Sequence, residues 1–253
     1  MQGSDTQRGS GRARTSRTQA SRTRAPTRDD WRLFNAEAAY ADSIFRSALG
    51  DVEGSVAALD RSLAALPTYA PAILSLGSVA YQRRQRAKGR RLFLSLLELP
   101  DDTPDLCEII DEAGTFLIQA HKYADGLELY RRAAARFPRV AVLHQGIGCC
   151  AGHQGLHEEA VAASRTAVDL EPENQNLVND LGWSLYPAGQ LEEARQVLER
   201  AVAMNPSGEL AAENLRICRR ERPEGGAAEG VSQSGPPKVT ARRRREASST
   251  RST

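Results

Sequence analysis

Cys149, Cys150, His153 and His157 fall within nine residues, and thiolates and imidazoles are the side chains that hold zinc. On a helix Cys149 and His153 share one face, because they stand four apart. Cys150 lies on a different face, and His157 follows the turn that Gly155 marks. Two ligands do not complete a tetrahedral site. A small core cysteine with surface histidines accounts for the cluster, and no metal is expected. The carboxylate pairs Glu158-Glu159 and Glu192-Glu193 read as solvated helix faces. The glycine-containing pieces Ile147-Gly148-Cys149-Cys150 and Leu181-Gly182-Trp183 lack the pattern of a phosphate-cradling loop. No Ser/His/Asp spacing stands out. These residues point away from an enzyme and from a bound cofactor.

The elements that would position such groups follow from composition. The chain has 253 residues, 40% hydrophobic and 26% charged, with a formal net charge of +2. That apolar fraction supports a core. No run approaches the roughly eighteen apolar residues of a membrane span. Four cysteines without a CxxC spacing, and no hydrophobic run at the N-terminus, predict reduced thiols and a cytoplasmic protein. Three segments differ in kind. Residues 1–28 hold seven arginines and one acid, net +6, and residues 223–253 hold six basic and three acidic residues, net +3. Both lack large apolar side chains and are expected to be disordered basic tails. Residues 29–222 are rich in Ala, Leu, Glu and Arg, a helix-forming composition, and carry the remaining charge of −7.

The middle segment is periodic. Pro138, Pro172 and Pro206 are 34 apart. Gly77, Gly114, Gly148 and Gly182 are spaced 37, 34 and 34, and Ser55, Gly89, Gly126, Ala160 and Ala194 are spaced 34, 37, 34 and 34. Both series place three extra residues between the second and third units, where Pro100-Asp101-Asp102-Thr103-Pro104 would form a longer loop. A period of this length means stacked helical hairpins. Gly50, Gly155 and Gly189 would turn the chain within a unit, and the prolines would end each second helix.

The pattern resembles the tetratricopeptide repeat family, a helix–turn–helix unit of 34 residues. Unit 175–208 carries Leu181-Gly182, Leu185, Gly189, Ala194, Leu198, Ala201 and Pro206 at the signature positions. Unit 141–174 carries Ile147-Gly148, Gly155, Ala160, Ala167 and Pro172, unit 107–140 carries Ala113-Gly114, Leu117, Gly126, Tyr130, Ala133 and Pro138, and unit 70–103 carries Leu76-Gly77, Gly89 and Phe93. Unit 36–69 is atypical, because Asp42 and Arg46 stand where apolar residues are expected. A helix at 209–222 would close the array as a solvating cap. The resemblance implies an all-α, right-handed superhelical solenoid with a concave groove lined by the first helix of each unit. It maps Tyr40, Ile44, Tyr81, Glu108, Asp111, Gln145, Cys149, His153, Asn179, Trp183 and Tyr186 onto that groove, with Glu112 beside it. Pro187 would kink the last first helix next to this surface.

This surface is amide-rich, aromatic and acidic at its centre. It predicts a non-enzymatic scaffold or adaptor that binds a neutral or basic peptide or helix of a protein partner. The basic side chains with which some family members clamp a C-terminal carboxylate are absent; Tyr40, Leu74, Asp111 and Glu112 are among the residues in their place. Peptides with acidic ends should therefore not bind. The basic tails admit three readings: a coding bias toward arginine, attachment to nucleic acid, or docking into the acidic groove. The alternative function is accordingly a nucleic-acid-associated adaptor held through its Arg-rich tails. Partner identity and oligomeric state are open.

Overall fold

The computed structural model describes residues 25–220. Most of the first basic tail, all of 223–253, and residues 221–222 of the expected end helix lie outside the described residues. Within them the chain forms eleven α-helices in five hairpins and a terminal helix. The hairpins are α1 (Arg28–Ala48) with α2 (Val52–Ala65), α3 (Ala70–Gln82) with α4 (Arg86–Ser95), α5 (Leu106–Gln119) with α6 (Tyr123–Arg136), α7 (Ala141–His153) with α8 (His157–Leu170), and α9 (Gln175–Leu185) with α10 (Leu191–Met204). The last helix is α11 (Glu209–Arg220). Each first helix packs on its own second helix, and α3, α5, α7 and α9 pack in succession. The result is an all-α solenoid.

The glycine series marks where the two helices of a hairpin meet. A Cβ on Gly77 would strike the Phe93 ring, one on Gly114 the Tyr130 ring, one on Gly148 the Ser164 hydroxyl, and one on Gly182 the Leu198 side chain. The partner always lies sixteen residues on. Each second helix thus seats one side chain in a notch of its first helix. Tyr130 and Phe93, each 1% exposed, and Leu198, at 0%, are fully buried by this arrangement. In the first hairpin the in-phase pair is Ser43 and Leu59, both buried. Ser55 Oγ donates to the Ser43 carbonyl across that contact at 2.9 Å.

Turns follow the same period. Gly50, Gly155 and Gly189 have φ of 79°, 74° and 76°, a left-handed conformation that glycine adopts without a Cβ penalty. Arg84 and His121 occupy the equivalent positions with φ of 61° and 55°. Pro67, Pro138, Pro172 and Pro206 each stand directly after a helix C-cap, as expected. The extra loop after α4 is held by Arg136, which donates to the carbonyls of Leu97 (2.7 Å) and Leu99 (2.5 Å) and pairs with Asp101. Along the second helices, Arg90–Glu128, Arg131–Glu159 and Arg165–Glu193 tie each unit to the next. Such exposed pairs contribute little individually.

Three expectations need correction. The first helix starts at Arg28, eight residues before the periodic boundary, because Thr27 and Asp30 form a capping box there. Thr27 and Arg28 therefore belong to the first helix and its cap. Asp42 and Arg46 are also not misfits: Asp42 accepts from Arg46 (2.9 Å) and Arg61 (2.5 Å), an ion network joining α1 to α2. Pro187 does not kink α9. The helix ends at Leu185, so Pro187 terminates it.

Gly114→Ala should lower stability by about 1–3 kcal/mol, because its methyl group cannot share space with the Tyr130 ring. Gly152→Ala, with Ala160 Cβ at 3.9 Å as the nearest atom, should instead add up to about 1 kcal/mol of helix propensity. Urea unfolding followed by helical circular dichroism distinguishes the two.

Candidate partner-binding groove

The row of first helices places the expected groove residues in three environments. Glu108 and Glu112 on α5 are exposed, and Ile44 on α1 is 56% exposed. Tyr40, Asp111, Gln145, Cys149, His153, Trp183 and Tyr186 are half-buried. Tyr81 and Asn179 are buried, at 7% and 2% exposure.

Tyr81 is the clearest correction. Its ring stacks on Phe93 (5.5 Å between centroids) and lies near Phe116 (6.0 Å). A Cβ on Gly89 would collide with it. Its hydroxyl donates to Asp125 Oδ2 at 2.9 Å, and Arg86 holds the same carboxylate with bonds of 2.7 and 2.8 Å. Burial pushes the Asp125 carboxyl up, but the bonds from Arg86 and Tyr81 outweigh it and leave the carboxyl below its ordinary range. Tyr81 is thus a buried link between the second and third units and does not line the groove. Asn179 is also structural: Asn214 on α11 donates to its Oδ1 at 2.9 Å, and its own Nδ2 donates to Asp180 Oδ1 at 3.2 Å.

The centre of the row is acidic and partly dry. Tyr130 Oη donates to Asp111 Oδ1 at 2.8 Å from the opposite helix. Gln145 Nε2 donates to Asp180 Oδ2 at 2.6 Å across α7 and α9. Burial raises both carboxyls above their ordinary values despite these bonds, and Glu112 and Glu108 add to the effect at Asp111. Neither carboxylate has an arginine or lysine partner among the described residues, whereas Asp125, Glu128, Glu159 and Glu193 do. Sequence periodicity missed Asp180, which stands one position beyond Asn179 and outside the positions taken to face the groove.

The cysteines and histidines part company. Burial, with Asp180 nearby, pushes the Cys149 thiol up to about 11, so it is no nucleophile at neutral pH. Cys150 is fully buried and packs against Gly126. His153 stacks on Tyr123 at 4.1 Å and 9°, and desolvation, helped by His121, lowers its basicity. Among the described residues no three such ligands come together. Trp183 and Tyr186 stack at 5.6 Å and 25°, a platform at the end of α9. Tyr40 meets Tyr69 edge-on at 5.7 Å.

Tyr81→Phe should cost about 1 kcal/mol in the midpoint of unfolding through the lost bond to Asp125 and leave capture of a partner unchanged. The Asp125 contribution is present above the unfolded carboxyl range and is lost as pH falls through its lowered native value. The variant and parent should therefore converge in stability in strong acid.

Models of the tetratricopeptide repeat family match residues 112–174 and 151–215. A curated relative is the small glutamine-rich tetratricopeptide repeat-containing protein 2 of Mycosarcoma maydis. It is 22% identical over 114 residues, 45% of this chain and 32% of that protein. The chain thus spans about a third of that relative's length. Among solved structures, YrrB, described as a TPR protein with an unusual peptide-binding site, superposes with a TM-score of 0.51 at 19% identity. The match covers 72% of this chain and 92% of YrrB. MamA (41-end) of Desulfovibrio magneticus RS-1 superposes with a TM-score of 0.50 at 16% identity, covering 69% and 97% of the two chains. At these identities the likeness is one of fold. No described helix is long and apolar enough to cross a membrane.

Proposed function

We propose, for a chain that belongs to the tetratricopeptide repeat family through residues 112–215, that it is a non-catalytic scaffold binding an arginine- or lysine-bearing segment of a protein partner. The segment lies along α5, α7 and α9. The observation that carries this reading is the pair Asp111 and Asp180, half-buried carboxyls without a cation partner among the described residues. A basic side chain entering the groove would supply that partner, and such charge-assisted contacts in a partly dry setting are strong and directional. The stacked Trp183 and Tyr186 offer a flat apolar anchor for the next part of the segment, and such aromatics commonly concentrate binding energy. Glu108 and Glu112 add long-range attraction. An acidic peptide end would meet repulsion instead. Cys107, Cys149 and Cys150 are thiols, in keeping with the reducing conditions of a cytoplasmic setting. Attachment to nucleic acid rests on the basic tails, which lie outside the described residues.

Titration calorimetry of the full chain with an arginine-rich peptide should show binding that Trp183→Ala weakens by about tenfold or more, with helical content unchanged. Affinity should fall as pH drops through the raised carboxyl values, because the peptide binds only the ionised form. Equal affinity for acidic and basic peptides, or no effect of Trp183→Ala, would contradict the proposal.

A further inference from the structure

The two ends of the array are finished differently. The outer face of α11 carries Glu213, Arg216, Arg219 and Arg220, all exposed, which is how a terminal repeat helix is kept soluble. The outer face of α1, continued by its C-cap Leu49, carries Trp31, Phe34, Ala38, Ala41 and Phe45. Every one of them is exposed, with Trp31 at 54%, Phe34 at 58%, Phe45 at 63% and Leu49 at 69%. At about 100° per residue these positions form one stripe, roughly 100° wide, along the whole helix. It contains no charged side chain. The opposite face, through Ala36 and Ser43, is the one buried against the rest of the array.

The order of sizes along the stripe reads the same from either end: two large residues, two alanines, two large residues. Laid antiparallel against a second copy, Trp31 would face Leu49 and Phe34 would face Phe45. Ala38 and Ala41 would meet at the centre, where two helices can approach most closely. This is the self-complementarity that a two-fold interface requires, each contact being made twice.

We propose that this face pairs two copies of the chain through α1, in antiparallel two-fold contact. No sequence beside the array suits the stripe better. Residues 1–24 hold no apolar side chain larger than alanine after Met1, and residues 221–253 offer only Val231 and Val239. A membrane surface is disfavoured by charge, since α1 carries three arginines against four acids, where lipid-binding helices are basic. The area is adequate. The three aromatic side chains, each able to bury about 150–250 Å², give roughly 350 Å² per copy at their present exposure. Leu49 and the alanines bring the two-copy total near the ~1,200 Å² lower end of specific interfaces. The dimer is therefore a reversible one, and pairing by α1 leaves α5, α7 and α9 of both copies open.

Sedimentation equilibrium of the full chain tests this. The mass should rise from 27.5 kDa toward twice that value across the micromolar range. Phe34→Glu with Phe45→Glu should hold the chain at the monomer mass with its helical signal unchanged, while Leu156→Glu, on an exposed leucine elsewhere, should dimerise as the parent does. Ala41→Phe adds apolar surface but blocks the crossing, so it should weaken the dimer by about tenfold or more. A monomer at every concentration would overturn the proposal. So would a dimer indifferent to Phe34→Glu with Phe45→Glu, or one strengthened by Ala41→Phe. Binding of the monomeric parent to phosphatidylcholine vesicles, lost in the double variant, would assign the stripe to lipid instead.

Discussion

The architecture depends on a close approach repeated once per unit. In four of the five units a glycine in the first helix leaves no Cβ, and the side chain sixteen residues later fills the space; in the first unit Ser43 takes the place of the glycine. Phe93 on Gly77, Tyr130 on Gly114 and Leu198 on Gly182 are three forms of one contact. Protein interiors tolerate neither a void nor an overlap there. The crossing of each hairpin is thereby set, and with it the stacking of the next first helix on the last. A hairpin of this size cannot bury its own apolar face, so stability accumulates between neighbours. The polar links reinforce the same spacing: Asp125 gathers Tyr81 and Arg86 across two units, and Arg131–Glu159 and Arg165–Glu193 recur one period apart.

The same contact explains the character of the groove. Tyr130 reaches through the notch at Gly114, and its hydroxyl meets Asp111. A core residue therefore orients an acid of the binding face and shields it from water. Asp180 is held in a comparable way by Gln145 and Asn179, which in turn accepts from Asn214. The acids at the centre of the row are thus positioned by packing behind them, while Glu108 and Glu112 stay in solvent. Positioned, partly desolvated carboxylates recognise a cation with more directional selectivity than mobile surface charges can.

Much of the fold was legible in the sequence because the physical constraint acts on residue type. Glycine fills the notch position in four of the five hairpins, with the small Ser43 in the first, proline cannot continue a helix, and both recur at fixed spacing. The three-residue insertion was readable for the same reason. The start of α1 was not found by period, since a capping box obeys local rules; the Thr27-Arg28-Asp29-Asp30 pattern was the available signal. The groove was read less well. Equivalent repeat positions need not point the same way when neighbours differ. Tyr81 turns inward because Gly89 makes room and Asp125 offers a partner, and Asn179 turns toward Asn214. Asp180 was hidden because its importance comes from burial, which spacing does not report. The apolar stripe of α1 is visible in residue type, but Trp31 and Phe34 stand before the repeat boundary at residue 36, so the period does not include them.

The central claim is that the packing of second helices frees the first-helix face to take a basic segment. Hydrogen exchange of the full chain, with and without an arginine-rich peptide, measures this most directly. Added protection should concentrate in α5, α7 and α9. Protection confined to α4, α6, α8 and α10, or none at a saturating peptide concentration, would contradict it.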